Sequence, residues 1–311
     1  MATGPLAEEI RRRLGECSPA ERKVGRVLLA GWPAAGFETI ATIAERAAVS
    51  APTVLRFVTR LGYHGFPDFQ SALRQELDER NASPLSLYES SLHESSLNTS
   101  SQHTLSQHPS DGTGETATGE DAGPAALLRQ GGGVFTAAVS RTLAELTPHD
   151  LERAITLLAD RKRRITLAGG RFTQLLAQYL GLHLMQLRDD VRFLSERDVE
   201  RTATLASLGR RDVLVLFDYR RYEQDKVTLA ELVQETGGKV VLFTDTWLSP
   251  VAPQAEVVLP SQVTTLSPYD SLVPTLAVIE TVITGVLTAL GDDGRRRLSH
   301  TEDIARRTGQ H

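Results

Sequence analysis

Cysteine and aromatic side chains are scarce in this chain of 311 residues. Cys17 is the single cysteine, which excludes an internal disulfide bond and any metal site that needs a pair of cysteines. Aromatic residues make up only 5% of the chain, but hydrophobic residues make up 41%, enough for the cores of two domains of ordinary size. Because the chain has a single cysteine and no possible internal disulfide, we expect it in a reducing cytoplasm.

Long apolar runs and a surplus of positive charge are also missing. We find no uninterrupted run of about 18 apolar residues and expect no membrane span. Residues 1–13 contain acids and arginines but no apolar core, so we do not expect a secretory signal peptide. The net charge of −5 gives no global indication of nucleic-acid binding. Any DNA-binding function must therefore depend on where the cations lie.

A polar stretch divides the chain into two parts. Residues 81–133 are rich in Ser, Thr, Gly, His and Gln, and their apolar residues follow no sustained period. Because such a stretch cannot bury enough apolar surface to offset the entropy of ordering it, we predict a disordered linker. The linker would join a domain of short helices at residues 1–80 to a second domain at residues 134–311.

The second domain has the pattern of an α/β fold. Apolar segments such as ITLAG (165–169), DVLVLFDY (212–219) and KVVLFTD (239–245) alternate with helical patterns. Buried strands separated by helices predict a parallel sheet that is covered by helices on both faces. The predicted fold is thus an all-α N-terminal domain followed by an α/β domain.

Residues 39–61 have the pattern of two short helices joined by a tight turn. Each helix has a buried stripe at helical spacing, formed by Ile40, Ile43, Ala44 and Ala47 in the first and by Val54, Phe57, Val58 and Leu61 in the second. The other face of the second helix, residues 51–61, carries small polar and basic side chains: Thr53, Arg56, Thr59 and Arg60. This arrangement is typical of a helix-turn-helix whose second helix enters the major groove of DNA. A three-helix bundle with a solvated basic face has the same spacing.

The N-terminal domain resembles the DNA-binding domain of the RpiR family of bacterial transcriptional regulators. The resemblance lies in SPAER (18–22), IAERAAVSAPTVLRFVTRLGY (43–63) and GFPDF (65–69). It implies that four residues face DNA, where arginines pair with guanine or neutralise phosphate: Ser50, Thr53, Arg56 and Arg60. Ala48 departs from the family pattern, which usually has Gly in this turn. If this residue is left-handed, alanine costs roughly 1 kcal/mol relative to glycine.

Residues 135–290 resemble a sugar-isomerase (SIS) domain, which in the RpiR family senses phosphosugars. Loops at the carboxyl ends of two strands are then expected to form the ligand site. The candidate ligand-binding residues are Gly170, Arg171 and Thr173 in the first loop, and Tyr219, Arg220 and Arg221 in the second. Glycines at a helix N-terminus offer N–H groups to an anion, and the arginines add charge.

The second loop departs from the SIS pattern. SIS domains that bind phosphosugars typically carry a loop of the form S-x-S-G-x-T, where this chain has FDYRRY (217–222). Three interpretations stay open. Arg171, Arg220 and Arg221 form a different anion site, for a larger or planar carboxylate or phosphate. Alternatively, the bulky loops fill the pocket and leave a dimerisation domain, or the arginines only pair with nearby carboxylates.

Catalytic residues are not evident in the sequence. His183 and Glu280 lie on apolar helical patterns, where a core or interface role fits better than that of a catalytic base. We therefore expect no enzyme activity, no cofactor and no metal. The predicted protein is a transcriptional regulator that binds a double-stranded DNA operator as a homodimer or homotetramer through its SIS domain. A small anionic effector, phosphosugar-like or other, stays an open question. The alternative is a sugar-phosphate isomerase, or a sugar-phosphate-binding enzyme, with a vestigial DNA-binding domain.

Overall fold

The N-terminal domain is built from short α-helices. The computed structural model of the chain describes residues 5–89 and 123–309. The helices of this domain are α1 (Pro5–Arg13), α2 (Pro19–Ala30), α3 (Ile40–Arg46), α4 (Ala51–Arg60) and α5 (Phe66–Asn81). A capping box begins α2, because the Ser18 hydroxyl accepts a bond from the Glu21 N–H and the Glu21 carboxylate accepts one from the Ser18 N–H.

The apolar stripes predicted for the helix pair form the core of this domain. Residues 43, 44 and 47 are buried on α3, and residues 54, 57, 58 and 61 are buried on α4 and at its end. They pack with Val24 and Leu28 of α2 and with Phe69 of α5. The helix-turn-helix pattern is therefore confirmed, and the other helices hold α4 from behind.

The turn between α3 and α4 is left-handed at Ala48, where φ is 50°. The Ala48 N–H donates to the carbonyl of Glu45 at 3.0 Å, and the Val49 N–H donates to that of Ala44 at 2.9 Å. These two bonds define a Schellman motif, in which glycine is the usual left-handed residue. The strained conformation considered for this alanine is therefore present.

The second domain contains a parallel sheet, as predicted. Its strands are β1 (Arg164–Gly169), β2 (Val191–Phe193), β3 (Asp212–Phe217), β4 (Lys239–Asp245) and β5 (Val257–Ser261). The strand order is β2-β1-β3-β4-β5, and every neighbouring pair is parallel. Gly169 at the end of β1 lies opposite Phe217 at the end of β3. The loops that follow these two strands therefore emerge side by side, at the point where the strand order reverses.

Helices cover both faces of this sheet. The helices are α6 (Pro124–Glu145), α7 (Pro148–Ala159), α8 (Gln174–Leu187), α9 (Asp198–Ala206), α10 (Gln224–Glu235), α11 (Val273–Leu290) and α12 (Asp292–Arg307). One core joins α7, α8 and α11 to one face, and a second core joins α10 to the other. The fold class predicted from the alternation of strands and helices is confirmed.

The predicted linker is shorter at both ends than expected. Residues 84–89 are helical, and α6 begins at Pro124, so the expectation of irregular structure at residues 124–133 was wrong. Gly131 is buried, where an added Cβ would contact Phe135 and Leu266. Packing of α6 on α11 outweighs the poor helix propensity of its glycines. The disorder predicted for residues 90–122 lies outside the described residues.

Helix α11 is rich in apolar residues, although Thr275, Glu280 and Thr284 interrupt them, so it is not an uninterrupted apolar run. Within the described residues it is long and apolar enough, by length and composition, to cross a membrane, with a mean hydropathy of 1.8. Val278, Ile279, Val282 and Val286 of this helix are fully buried in the core of the α/β domain. Packing against the sheet and neighbouring helices therefore accounts for its apolar composition.

Candidate functional site

The exposed face of α4 is the first candidate site. Ala51, Pro52, Leu55, Arg56, Thr59 and Arg60 are exposed on this helix, and Ser50 is exposed just before it. With about 100° of rotation per residue, Pro52, Arg56 and Thr59 lie nearly opposite the buried stripe. Arg56 therefore lies near the middle of the face that a DNA groove would meet.

Thr53 does not lie on this exposed face, so the expectation that it does was wrong. Its side chain is about a quarter turn from the buried stripe, and the residue is 5% exposed. The Thr53 hydroxyl accepts a bond from Arg56 Nη2 at 3.1 Å and lies 2.9 Å from the Ser50 hydroxyl. Thr53 thus orients the two flanking side chains instead of projecting outward.

The two arginines of α4 differ in their surroundings. Arg60 Nε donates to Glu21 Oε1 of α2 at 3.4 Å, and Glu21 is buried. Hydrogen bonds from Ser18, and the nearby Arg60, lower the pKa of the Glu21 carboxyl. Arg56 has no carboxylate partner within residues 5–89 and 123–309. The charge of Arg56 is therefore the more available of the two.

Leu55 was not singled out from the sequence, although it is 40% exposed beside Arg56. An exposed leucine on a groove-facing helix can contact the methyl group of thymine. The signal that could have revealed it is its helical position, since residue 55 lies about 100° around the helix from Val54 and beside Arg56.

A cavity of about 440 Å³ is the second candidate site. Its lining residues lie in segments 170–173 and 217–223 after β1 and β3, in segment 268–272 before α11, and in segment 82–87 after α5. All six predicted ligand-binding residues line it: Gly170, Arg171, Thr173, Tyr219, Arg220 and Arg221. The structure thus brings the two loops together and leaves space between them.

The first loop uses its hydrogen-bonding groups internally. The Gly170 N–H donates to Thr173 Oγ1 at 2.8 Å, and the buried Thr173 hydroxyl donates to the carbonyl of Phe217 at 3.0 Å. The Gly169 N–H donates to Gln174 Oε1 at 2.9 Å. These two glycine N–H groups are already satisfied, so an anion at this loop would rely on the exposed side chain of Arg171.

Two residues of the second loop are held in place by other parts of the domain. Tyr219 is buried, and its hydroxyl lies 2.7 Å from Thr275 Oγ1 of α11. Arg220 forms a two-pronged pair with Asp270, with Nε 3.0 Å from Oδ2, and its guanidinium lies 4.7 Å from the centre of the Trp247 ring. Arg220 therefore behaves as the third interpretation describes, although its partner Asp270 lies 50 residues away in sequence.

Arg171 and Arg221 are the remaining cations of the cavity. Both are exposed, and neither has a carboxylate partner in the described part of the chain. Arg221 has a left-handed backbone with φ of 65°, which is uncommon for a residue with a long side chain. These two side chains are the groups that an anionic ligand would meet.

Two buried carboxyl groups lie at the second loop: Asp218 belongs to the loop and lines the cavity, and Asp245 is the last residue of β4. Burial raises the pKa of Asp218 to about 6, and its carboxylate accepts a bond from the Ser249 hydroxyl. Burial also raises the pKa of Asp245 to about 7, and it accepts bonds from the Arg220 N–H and the Tyr222 hydroxyl. Their hydrogen bonds hold the loop that carries Tyr219 and Arg220.

His183 and Glu280 lie on helices α8 and α11 and do not line the cavity. Tyr179 donates a short hydrogen bond to Glu280, and the ring of Tyr179 lies edge-on to His183 with centroids 4.7 Å apart. Within residues 5–89 and 123–309, no group of three or more His, Cys, Asp or Glu side chains could hold a metal ion.

Both domains match known families. The helix-turn-helix domain of the rpiR family matches residues 4–80, and the SIS domain matches residues 157–285. The N-terminal domain belongs to the rpiR family of helix-turn-helix domains. Because the chain joins this domain to a SIS domain and its curated relatives are transcriptional regulators, it is a helix-turn-helix transcriptional regulator, as the sequence predicted.

The curated relatives of this chain are transcriptional regulators. It is 27% identical over 303 residues to the HTH-type transcriptional regulator HexR of Pseudomonas aeruginosa, covering 96% of this chain and 94% of the relative. It is 43% identical over 72 residues to HexR of Escherichia coli K12, covering 23% and 25% of the two chains. The sugar isomerase domain of an RpiR transcription factor from Sphaerobacter thermophilus superimposes with a TM-score of 0.52 at 23% identity, over 58% of this chain and 98% of that one.

Proposed function

We propose that this regulator binds double-stranded operator DNA through the exposed face of α4. The observation that carries the proposal is Arg56, an arginine without a carboxylate partner among the described residues, near the centre of a face that is free of acids from residue 51 to residue 65. Arg60 and Ser50 flank it. A helix N-terminus and a basic face favour contacts with phosphates and base edges.

The test is a gel-shift titration of the full chain against the DNA upstream of its own gene. Arg56→Ala is expected to weaken binding, and Arg56→Ala with Arg60→Ala to weaken it further. Arg74→Ala, which removes an exposed arginine of α5 that lies over the Phe37 ring, is the matched control. Unchanged binding by the double variant would contradict the proposal.

The cavity of the SIS domain is proposed to bind a small anionic effector. A volume of about 440 Å³ lies within the ordinary range for small-molecule pockets. Because the glycine N–H groups are occupied, the anion would be held by Arg171 and Arg221 instead of by a backbone cradle. Sugar phosphates and hydroxycarboxylates share this chemistry, and the side chains of Phe172 and Tyr269 give the cavity partly apolar walls.

Calorimetric titration with hexose 6-phosphates, pentose 5-phosphates and hydroxycarboxylates tests this site. Arg171→Ala and Arg221→Ala are each expected to weaken binding about tenfold or more, since each removes a charge-assisted contact. Arg197→Ala, at an exposed arginine outside the cavity, is the control. If no compound of the panel binds, or if the control variant loses as much as the cavity variants, the proposed site is wrong.

We further propose that the SIS domain senses its ligand without converting it. Proton transfer beside a carbonyl needs a base that faces the substrate. Asp218 lines the cavity, but its buried carboxyl accepts a hydrogen bond from Ser249, and the buried carboxyl of Asp245 accepts one from Tyr222, so both are engaged within the domain. Incubation of the sugar phosphates with the protein is expected to leave them unchanged by NMR. Isomerised product that disappears in an Asp218→Asn variant would favour the alternative of an isomerase.

Assembly through the SIS domain, as a homodimer or homotetramer in the cytoplasm, completes the proposal. Helix α8 exposes Leu175 and Leu182, with 65% and 57% of their surface accessible. A second subunit would cover them and would place two α4 helices on one operator, which raises the affinity of a small basic face. Light scattering of the full chain, with Leu175→Glu plus Leu182→Glu as the disrupting variant, measures this.

A further inference from the structure

The end of the DNA-binding domain forms one wall of the SIS cavity. Ala82, Pro84 and Leu87, which follow α5 directly, line the same space as the loops after β1 and β3. A long polar linker predicts two independent domains. In the structure, however, the residues next to the helix-turn-helix contact the candidate effector site before the segment at residues 90–122 begins.

Arg220 connects the cavity loop to α5. Its Nη1 donates to the carbonyl of Glu79 at 3.1 Å, in the last turn of the helix. A cation at the C-terminal end of a helix is favoured by the helix dipole and by the unpaired carbonyls there. Asp270 and the Trp247 ring hold the same guanidinium from the SIS side, so its position is determined within the SIS domain.

Arg80 makes the reciprocal contact from α5 to the SIS domain. Its guanidinium lies 4.8 Å from the centre of the Tyr222 ring, and its Nη2 donates to the carbonyl of Leu248 at 3.4 Å. Tyr222 in turn donates to the buried Asp245 at 2.6 Å. Arg220 thus reaches from the SIS domain to α5, and Arg80 reaches from α5 to the SIS domain. We call these two interactions together the α5 contact.

Movement at this contact is transmitted to the DNA-binding helix because α5 is one continuous helix. Phe69, near its start, is fully buried in the same core as Phe57 of α4. A shift of the last turn of α5 therefore moves the helix on which Phe69 lies, and close packing resists independent movement of α4.

We propose that the α5 contact couples occupancy of the SIS cavity to the position of the helix-turn-helix, so that a ligand between the second loop and segment 82–87 alters DNA binding within the same chain. The regulatory part of this inference rests on the proposed effector site, whereas the contact itself does not. Arg80 and Arg220 act as positioning residues.

The first experiment needs no ligand. Hydrogen exchange of the full chain is measured for the last turn of α5, where the Ala82 N–H donates to the Glu79 carbonyl. Arg220→Ala is expected to speed exchange at residues 79–82 at least fivefold. Arg197→Ala is the control, because this exposed arginine lies outside the cavity and pairs with Glu200 of α9. Equal exchange in the two variants would overturn the contact.

Removing Arg220 also leaves Asp270 without its partner, which could by itself disturb the loop. A second variant therefore tests the α5 contact without breaking this ion pair. Arg80→Ala leaves the Arg220–Asp270 pair intact and is expected to speed exchange at residues 247–249 of the SIS domain at least threefold. Because coupling between two sites is reciprocal, both variants must change the opposite domain. If Arg80→Ala leaves the SIS domain unchanged, the coupling is absent.

The second experiment measures operator affinity with and without the sugar phosphate or hydroxycarboxylate that binds best in the titrations. In the native chain, the ligand is expected to change the operator Kd by about 5- to 150-fold, the usual range of allosteric coupling. In Arg80→Ala, the ligand is expected to bind as before while this ratio falls towards one. A ratio that stays at the native value overturns the coupling. Failure of every compound to bind would contradict the effector site, while the exchange experiment still decides whether the contact exists.

Discussion

The turn between α3 and α4 allows a measurement of the free energy that alanine, compared with glycine, costs at a left-handed position. Ala48 is left-handed, and the same motif recurs at the end of α4, where Gly62 has φ of 100°. There the Gly62 N–H donates to Thr59 and the Tyr63 N–H to Val58, at 3.0 and 3.3 Å. The chain thus contains two equivalent turns, one with alanine and one with glycine at the left-handed position.

We expect Ala48→Gly to stabilise the N-terminal domain by about 1 kcal/mol. A left-handed L-residue costs about 1–2 kcal/mol, and the greater freedom of glycine in the unfolded chain returns about 0.4–1 kcal/mol of that gain. Ala48 is exposed, so little burial is lost with its methyl group. Gly62→Ala should have the opposite effect and a similar size, since an added Cβ would meet no atom within 4 Å and only the backbone is strained.

Hydrogen exchange of the buried amides of Phe57 and Val58 reports the opening of this domain in the full chain. A change of about 1 kcal/mol corresponds to a roughly fivefold change in protection. Ala48→Gly should raise protection by that factor, and Gly62→Ala should lower it. The reasoning is refuted if both substitutions shift protection in the same direction, or if Ala48→Gly lowers it.

Three further predictions concern DNA binding, pH and packing. If Arg56 contacts a phosphate, Arg56→Ala should make the slope of log K for operator DNA against log salt concentration shallower by about one. Arg60→Ala should change this slope less, because Arg60 also pairs with the buried carboxylate of Glu21. DNA titrations at several salt concentrations measure both slopes. Burial raises the pKa of the Glu76 carboxyl, on α5, from 4.5 to about 7. Between these two pH values, the folded N-terminal domain keeps a proton on Glu76 that the unfolded chain releases. Its free energy of unfolding should therefore fall as pH rises from 4.5 to 7, by up to about 3 kcal/mol, and urea titrations should show that Glu76→Gln removes this component. Gly169→Ala should destabilise the SIS domain by about 1–3 kcal/mol, because a Cβ there would lie 2.5 Å from the Gln174 nitrogen. Gly132→Ala, in an open part of α6, should instead stabilise it by about 1 kcal/mol. Thermal unfolding of the full chain measures both changes.

Patterns that repeat within a few residues were sufficient to predict the fold. The stripes of α3 and α4 and the apolar strands β1, β3 and β4 are determined by the spacing of side chains along the chain itself. Helix α12 was not predicted, because its residues are polar and only Gly294 is buried, so it lacks an apolar stripe. The ends of the linker were misjudged because tertiary packing, not composition, makes residues 124–133 helical.

The candidate sites, like the fold, could be predicted from the sequence only in part. The six cavity residues could be predicted, since loops after neighbouring parallel strands meet at one edge of a sheet. The role of each residue could not, because its partners are remote in sequence. Tyr219 contacts Thr275, 56 residues away, and Arg220 pairs with Asp270, 50 residues away and outside any local motif.

The sequence by itself determined that this chain has a helix-turn-helix, a parallel α/β domain and two arginine-bearing loops at one sheet edge, since all of these follow from local periodicity. Only the tertiary structure decided which arginines stay available, that the segment after α5 lines the cavity, and that α5 contacts the SIS domain. Arg80 and Leu248 are 168 residues apart. No pattern along the chain encodes such a pair, because the folding of two separate cores brings it together.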